Sequence, residues 1–350
     1  MEIENNLSLV VSTLEDENDG DFSKGDLSLR EAIANAEAGA TITFDSSLSG
    51  GTINVSADGF IIDKDLTITG LGANNLTIDG SKAISLTDRD LTYARVFEIN
   101  DGNDDAQSNV TIEGITVSGN FQGSSGIANR ENLTLNTTNI SNNLTADPGG
   151  GINNSGNLVL NNSLVSGNST TVFPFIQGGG IFNSGTASII NSAVIGNRSS
   201  NAGGGISNVG SLTIENSIII NNGSSNAGGG TDIFTSDAST ATITSSITGR
   251  SSTGSLVGDF TSGGNNLIAQ GEGRDSVTGF TNGENGDLVG SFDEPLDLQI
   301  NYIQNNSGAI ESKGLRENSL AIDVGNNPNN LATDLYGDEL NRTMESATDL

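Results

Sequence analysis

The chain has 350 residues, with 43 acidic against 13 basic side chains and a formal net charge of −30. That charge disfavours nucleic acid and anionic membranes as partners, because affinity for phosphates depends on Lys and Arg. Histidine and cysteine are both absent, which excludes Ser–His and Cys–His catalysis, the usual zinc sites and disulfides.

The first residues, Met1 to Asn6, lack the charged-then-apolar pattern of a signal peptide. No apolar run is long enough to span a bilayer, so we expect no membrane insertion by this chain. Either the chain is a piece of a longer protein, or its export uses another signal.

One helix is predicted, close to the N-terminus. Ser28 and Glu31 form a capping box, while Leu29, Ile33 and Ala36 share one face of the helix. Gly39 ends it. We expect residues 1–51 to be an N-terminal cap in which the apolar helix face covers the open first turn of a repeat structure.

Two loops are dense in oxygen ligands that suit calcium. The candidate ligands are Asp16, Asn18, Asp19 and Asp21 in the first loop, and Asp101, Asn103, Asp104 and Asp105 in the second. Neither loop follows the EF-hand spacing. Both a weak structural calcium site and a solvated acidic loop stay open as interpretations; we expect no other cofactor.

A longer insertion near the first repeats carries the densest mixture of acidic and basic residues. If the protein is an enzyme, its catalytic candidates are Asp88, Arg89, Asp90 and Arg95. Elimination from a uronate needs a base and a cation, and glycoside hydrolysis needs paired carboxylates. The alternative is a solvated loop whose charges pair with each other.

Triple glycines recur along the middle of the chain, with starts at residues 149, 178, 203 and, in a decayed copy, 228. These starts are 29, 25 and 25 residues apart. Self-similarity at such a period is typical of a solenoid, in which each repeat buries its apolar face against its neighbours.

Each repeat contains short segments that alternate apolar and polar residues, as in Leu133-Thr134-Leu135, a period typical of half-buried strands. Small or amide residues occupy the next column: Gly114, Thr137, Asn162, Asn191 and Asn216. Two further columns consist of asparagines: Asn120, Asn143, Asn168, Asn197 and Asn222, and Asn129, Asn154, Asn183 and Asn208. We interpret these residues as corners and hydrogen-bonded ladders rather than as ligand contacts.

These patterns predict an all-β fold, a right-handed parallel β-helix (solenoid) with a short N-terminal capping helix. The repeats are expected over residues 52–270, with an irregular closing segment over 271–350. An outward threonine column that includes Thr67, Thr111, Thr134 and Thr213 raises ice binding as a further possibility, but Val159 and Ser188 interrupt it.

Three segments resemble known bacterial families. Residues 9–20 with Leu27-Ser28-Leu29-Arg30-Glu31-Ala32-Ile33 resemble the N-terminal domain named for its CSLREA motif, with Leu27 in place of the cysteine. The repeats are similar to those of polymorphic outer-membrane proteins. The tail, from Gly286 through Ala321-Ile322-Asp323 to Arg342, resembles the end of choice-of-anchor Q proteins. These resemblances imply a bacterial secreted or surface-attached β-helix.

The expected function is therefore non-catalytic: a secreted or cell-surface β-helix that makes adhesive, glycan or surface contacts through a long polar face. The alternative is a polysaccharide lyase, hydrolase or epimerase that acts on an acidic polysaccharide. Acidic and basic residues do not recur at one-turn spacing between residues 130 and 250, which favours the binding role.

Overall fold

The computed structural model describes residues 9–23, 25–56, 59–82, 84–87, 90–93, 95–103, 106–119, 121–171, 177–225, 230–249, 254–269, 278–291, 293–300, 316, 318–322, 333–334, 337–341, 343–344 and 347–348. These residues form a parallel β-solenoid with very little helix. The predicted fold class is confirmed in this respect.

Four parallel sheets run along the solenoid. Sheet 1 has ten strands: Leu9–Val11, Ala40–Phe44, Leu66–Thr69, Asn109–Glu113, Asn132–Asn136, Asn157–Asn161, Thr186–Ile190, Ser211–Glu215, Thr240–Thr244 and Thr261–Gly264. Sheet 2 also has ten: Gly51–Asn54, Leu76–Asp79, Thr116–Ser118, Asn139–Ser141, Leu164–Ser166, Ala193–Ile195, Ile218–Ile220, Ile247–Thr248, Leu267–Ile268 and Leu288–Val289.

Sheet 3 has eight strands: Phe60–Ile62, Phe97–Ile99, Ile127–Asn129, Ile152–Asn154, Ile181–Asn183, Ile206–Asn208, Ile233–Thr235 and Leu256–Val257. Sheet 4, a short fourth side that the repeat pattern did not predict, has five: Phe121–Gly123, Leu144–Thr145, Ser169–Thr170, Arg198–Ser199 and Gly223–Ser224. Three antiparallel pairs complete the strands: Ile84–Thr87 with Asp90–Tyr93, Thr333–Asp334 with Gly337–Asn341, and Thr343–Met344 with Ala347–Thr348.

Inward-pointing residues stack in register and form the main core. Ile152 pairs with Ile181, which pairs with Ile206, and all three are fully buried. The isoleucine that follows each glycine triplet therefore points into the core. The alternation in sheet 1 is also confirmed, since Leu133 and Leu135 are buried while Thr134 between them is half-buried and faces outward.

The corner column has the left-handed backbone that its residue types predicted. Gly114, Thr137, Asn162, Asn191 and Asn216 have φ values of 65°, 47°, 47°, 48° and 49°. This conformation is cheap for glycine and tolerable for asparagine, but costly for a β-branched residue such as Thr137.

The decayed fourth repeat lies two residues later than its glycines suggest. Ile206 pairs with Ile233, so the counterpart of the Gly203–Gly205 triplet is Gly230-Thr231-Asp232, and the start predicted at Gly228 is wrong. The first residue of each triplet needs a positive φ, which is 61° at Gly203 and 58° at Gly230. The glycine with a positive φ is therefore retained at the first position of the triplet, while Thr231 and Asp232 replace the glycines at the second and third positions.

The capping helix spans Leu29–Asn35, with the capping box between Ser28 and Glu31 in place. Its apolar residues Leu29, Ala32 and Ile33 belong to the main core. Arg30 fixes the other side of the helix: its guanidinium makes two hydrogen bonds to Asp16, at 2.7 and 2.8 Å, and lies 4.9 Å from the centre of the Phe60 ring. A single 3-10 turn, Ser46–Leu48, follows.

The parallel stack extends beyond the predicted limits of 52 and 270. Sheet 1 begins with Leu9–Val11 and Ala40–Phe44, and sheet 2 ends with Leu288–Val289. The N-terminal segment therefore contributes strands as well as the helix. After the Leu9–Val11 strand the chain leaves the stack, forms the helix and returns as Ala40–Phe44, which pairs with Leu9–Val11. The spacing of strand residues in the sequence does not reveal this connection.

A second apolar cluster covers the outer face of the later strands of sheet 2. Its sheet members are Leu164, Ala193, Ile195, Ile220, Ile247 and Leu267, and the segment after the last coil adds Leu298, Ile300 and Ala321. Ser319 ties this segment together through a 2.9 Å hydrogen bond from its Oγ to the carbonyl of Leu298. Among the described residues of the closing segment, Leu298, Ile300 and Ala321 thus lie against the outside of the solenoid.

Candidate functional site

The outer face of sheet 1 presents three columns of polar side chains, which we call the sheet 1 face. The central column pairs in register through nine strands: Thr41, Thr67, Thr111, Thr134, Val159, Ser188, Thr213, Thr242 and Thr261. Eight steps of about 4.8 Å make this column about 38 Å long. The structure confirms the predicted interruption at Val159 and Ser188 and adds Thr41, Thr242 and Thr261.

A column of amides flanks the threonines. The Nδ2 of Asn157 donates to Oδ1 of Asn132 at 2.6 Å, and the Nδ2 of Asn132 donates to Oδ1 of Asn109 at 3.1 Å. At the end of the column the backbone N–H of Asn109 donates to Asp65, at 2.6 Å. Thr186, Ser211 and Thr240 continue this column in the later strands. These hydrogen bonds hold the amides in one orientation.

The third column lies at the other margin of the face. It contains Thr43, Thr69, Glu113, Asn136, Asn161, Ile190, Glu215 and Thr244. The hydroxyl of Thr69 donates to Glu113 at 2.8 Å, and the amide of Asn161 donates to Asn136 at 3.1 Å. Alternate residues along a strand are about 6.7 Å apart, so the three columns together span about 13 Å.

Among the described residues, this face is more continuously polar than the outer faces of sheets 2 and 3. Asn109, Asn157, Ser211 and Thr240 are exposed. The second apolar cluster occupies the outer face of the later strands of sheet 2, whereas Asn54 on its first strand is exposed. On sheet 3, the outward side chains of Ala128 and Ser207 are buried, and the same column contains Ile61, which is 57% exposed, and the half-buried Phe182 and Phe234. Sheet 1 is therefore the side of the solenoid where a ligand can reach a long polar surface.

The sheet 1 face carries little charge for a protein of net charge −30. Its ten strands contain no Lys or Arg, and their acidic residues are Glu113 and Glu215. Hydroxyls and amides both donate and accept hydrogen bonds, whereas carboxylates accept only. The face can thus bind by dense neutral hydrogen bonding, but it offers no cation to an anionic ligand.

The predicted catalytic constellation is only partly described. Asp88, Arg89 and the side chain of Asp90 lie outside the described residues. Arg95 is described: its Nη1 lies 3.1 Å from Oε2 of Glu98, and both side chains are half-buried. Its Nε is buried and has no hydrogen-bond partner among the described residues. Glu98 points outward from sheet 3, so this pair lies on the outside of the solenoid.

The candidate calcium ligands are engaged in other contacts. Asp16 accepts from Arg30 and from the backbone N–H of Ser56. Burial raises the pKa of Asp16, but the hydrogen bonds from Arg30 and Ser56 outweigh it, and the pKa lies below its ordinary value. In the same loop, Asp19 accepts from the backbone of Asp21, at 2.8 Å, and Asp21 from that of Ser23, at 2.9 Å.

In the second loop, Asp101 accepts from the backbone of Asn103, at 2.7 Å, and from the hydroxyl of Ser108, at 2.9 Å. Asp104 and Asp105 lie outside the described residues. Among the described residues, no three acidic side chains converge as metal ligands would. Calcium binding at Asp16, Asn18, Asp19 and Asp21, or at Asp101 and Asn103, stays a prediction.

Buried asparagine ladders run inside the solenoid, as the columns predicted. Along sheet 3, Asn129, Asn154, Asn183 and Asn208 are joined by Nδ2-to-Oδ1 bonds of 2.7, 2.7 and 2.8 Å. At another corner, Asn143, Asn168, Asn197 and Asn222 form a second ladder, here called the corner ladder, with bonds of 2.9, 3.0 and 3.0 Å. These asparagines hold the turns together and are not exposed to a ligand.

The corner ladder ends on a fully buried carboxyl that sequence reasoning missed. Asn222 donates to Oδ1 of Asp232, while Oδ2 makes no hydrogen bond of normal geometry among the described residues. Burial raises the pKa of Asp232 to about 7, against opposing interactions with Asn222, Ser255 and the backbone of Gly249. One feature of the sequence could have indicated this carboxyl: Asp232 stands where three earlier repeats have the third glycine of the triplet.

No protein-family model and no curated protein matches the chain. Among solved structures it is similar to the crystal structure of pectate lyase Pel9A, with a TM-score of 0.54 and 13% sequence identity over 93% of each chain. At that identity the likeness shows the fold alone, a parallel β-solenoid. The resemblances to the CSLREA domain, to polymorphic outer-membrane repeats and to choice-of-anchor Q proteins stay predictions.

Proposed function

We propose that this chain is a non-catalytic, secreted or cell-surface solenoid that makes adhesive contacts with glycans or another surface component through the sheet 1 face. The observation that carries the proposal is the open array of hydroxyl and amide side chains, held in register over nine strands. Such an array gives many weak contacts, which add up when the partner is a polymer with repeated groups.

The charges of the described residues support a binding role over catalysis. Arg30 is held by Asp16, and Lys64 lies 3.4 Å from Asp63. No basic residue stands on the strands of the sheet 1 face. A base for proton abstraction, or paired carboxylates in a groove, would have to come from elsewhere in the chain.

The second candidate function is an enzyme acting on an acidic polysaccharide, and Arg95 is the observation that favours it. A half-buried guanidinium whose buried Nε has no partner among the described residues is a costly arrangement, and a uronate carboxylate would satisfy it. Glu98, 3.1 Å away, could position this guanidinium. The solenoid fold shared with Pel9A is compatible with this alternative.

One experiment separates the two functions. The protein is incubated with neutral and uronate-containing polysaccharides, with and without calcium, and soluble products are measured by mass spectrometry. Retention on a polysaccharide without release of products supports the proposed function. New oligosaccharides would overturn it, and their loss in Arg95→Ala would then assign the activity to the insertion near residue 95. The absence of both retention and products would exclude glycans as the partner.

A further inference from the structure

We infer that the ligand of the sheet 1 face is an uncharged, extended polysaccharide and not a uronate polymer. This inference rests on the proposed function, because it names the class of glycan for the same surface. Three features of the face lead to it: its charge, its hydrogen-bonding groups and its periodicity.

Charge disfavours an anionic ligand at this face. Asp65 ends the amide column, and Glu113 and Glu215 lie in the third column. A uronate carboxylate near one of them would be repelled by roughly 1 kcal/mol in water, and more strongly where water is excluded. No Lys or Arg of the sheet 1 strands offsets this, and the net charge of −30 adds a repulsive field.

Hydrogen-bonding capacity fits sugar hydroxyls. A sugar hydroxyl donates one hydrogen bond and accepts others, as the threonine hydroxyls and asparagine amides of the face do. The Nδ2 of Asn132 gives one hydrogen to Asn109 and has a second to donate. The amide column therefore presents oriented groups whose side-chain entropy is already reduced by the bonds between turns.

Periodicity favours a chain over a small molecule. The same groups recur at each turn of the solenoid, about 4.8 Å apart, in a strip about 38 Å long and 13 Å wide. A polymer lying along the columns repeats its contacts at each turn, whereas a monosaccharide makes them once. We expect weak binding of single sugars and strong retention on long or insoluble chains.

The test compares retention on insoluble neutral polysaccharides, such as cellulose and chitin, with retention on polygalacturonate and alginate, at about 20 mM and about 500 mM salt. We expect retention on at least one neutral polymer that changes little with salt. The double variant Asn132→Asp with Asn157→Asp removes the remaining amide donor of Asn132, breaks the bonds from Asn157 to Asn132 and Gln107, and adds two charges. It should weaken that retention at least tenfold. The matched control is Asn54→Asp, an exposed asparagine on sheet 2.

The possible outcomes separate this inference from the proposed function. Retention on uronates alone, or neutral retention that the double variant leaves intact while its melting temperature is unchanged, overturns the inference and leaves glycan binding standing. Failure of the protein to bind any polysaccharide overturns the inference and excludes glycans as the partner in the proposed function. An equal loss of retention in Asn54→Asp would show that the sheet 1 face is not the specific site.

Discussion

Asn222 donates two hydrogen bonds to the same oxygen of Asp232, from its backbone N–H at 3.1 Å and from Nδ2 at 2.9 Å. Asn197 makes the same two bonds to Oδ1 of Asn222, at 2.9 and 3.0 Å. Asp232 therefore supplies the acceptor that an asparagine of the following turn would supply. It does so from the position of a triplet glycine, and it brings a carboxyl group into the interior.

This carboxyl should make stability depend on pH. The pKa of Asp232 is raised from 3.8 to about 7 by burial, so the folded state binds a proton that the unfolded state releases between about pH 4 and pH 7. The contribution of this group to the free energy of unfolding is fully present below pH 4. It is lost as the pH rises through 7, and the free energy of unfolding falls by about 4 kcal/mol at most. Asp232→Asn keeps the Oδ1 acceptor and should raise the melting temperature at pH 8 but not at pH 4.

The measurement is the melting temperature of both proteins from pH 4 to pH 8, because other acidic groups titrate alike in the two. Asp287→Asn is the matched control: Asp287 also ends a ladder, but its Oδ2 accepts from Ser262 and its Oδ1 from Asn266. Replacing that paired carboxylate should lower the melting temperature at pH 8. An Asp232→Asn profile parallel to the wild type would contradict the buried position of this carboxyl.

The isoleucine stack predicts a second result. Ile181→Asp or Ile206→Asp places a charge in a column where both side chains are fully buried, at a cost of several kcal/mol. We expect the middle turns to lose cooperative melting, which circular dichroism and hydrogen exchange would measure. Thr186→Asp adds the same charge at an exposed position of sheet 1 and should melt near the wild type. Cooperative melting of both isoleucine variants at the wild-type temperature would show that this column does not face inward.

Thr137 offers a stabilising change. It has a φ of 47° in a column where Asn162 and Asn191 have nearly the same angle, and a β-branched residue is strained there. Thr137→Asn should raise the free energy of unfolding by about 1 kcal/mol, measured by denaturant unfolding. The reverse change, Asn162→Thr, should lower it by a similar amount. Equal stabilities for all three proteins would argue against strain at this corner.

The second apolar cluster predicts local opening of the closing segment. Leu298 is almost fully buried against the outside of sheet 2, so Leu298→Ala should weaken this packing by about 2–4 kcal/mol. Hydrogen exchange in residues 293–300 should accelerate while the solenoid core stays protected. Glu294→Ala changes an exposed side chain of the same segment and should leave exchange unchanged. Acceleration throughout the solenoid would instead show that the segment and the core unfold as one unit.

The candidate binding surface was only partly predictable. The threonines at 67, 111, 134 and 213 recur at equivalent positions of the repeats and could be predicted as a column. The pairing of Asn109, Asn132 and Asn157 depends on the register between neighbouring strands, which the structure supplies. The burial of the outer face of sheet 2 is also indicated by the sequence. Ala193–Ile195 and Ile218–Ile220 are continuous apolar runs, a pattern typical of strands buried on both faces.

The solenoid, its inward isoleucines, its left-handed corners and its helix cap could be predicted from the amino-acid sequence. Each of these features depends on residues within one turn or in the neighbouring turn. The closing segment on sheet 2 depends on contacts between residues far apart in the chain. The register of the last repeat and the carboxyl at the end of the corner ladder depend on pairing between neighbouring turns, which the position of the triple glycine did not reveal. Ala321 covers the same sheet as Leu164, and no periodicity connects them. Because Leu298, Ile300 and Ala321 occupy the outside of the later strands of sheet 2, sheet 1 is the most continuously polar side among the described residues.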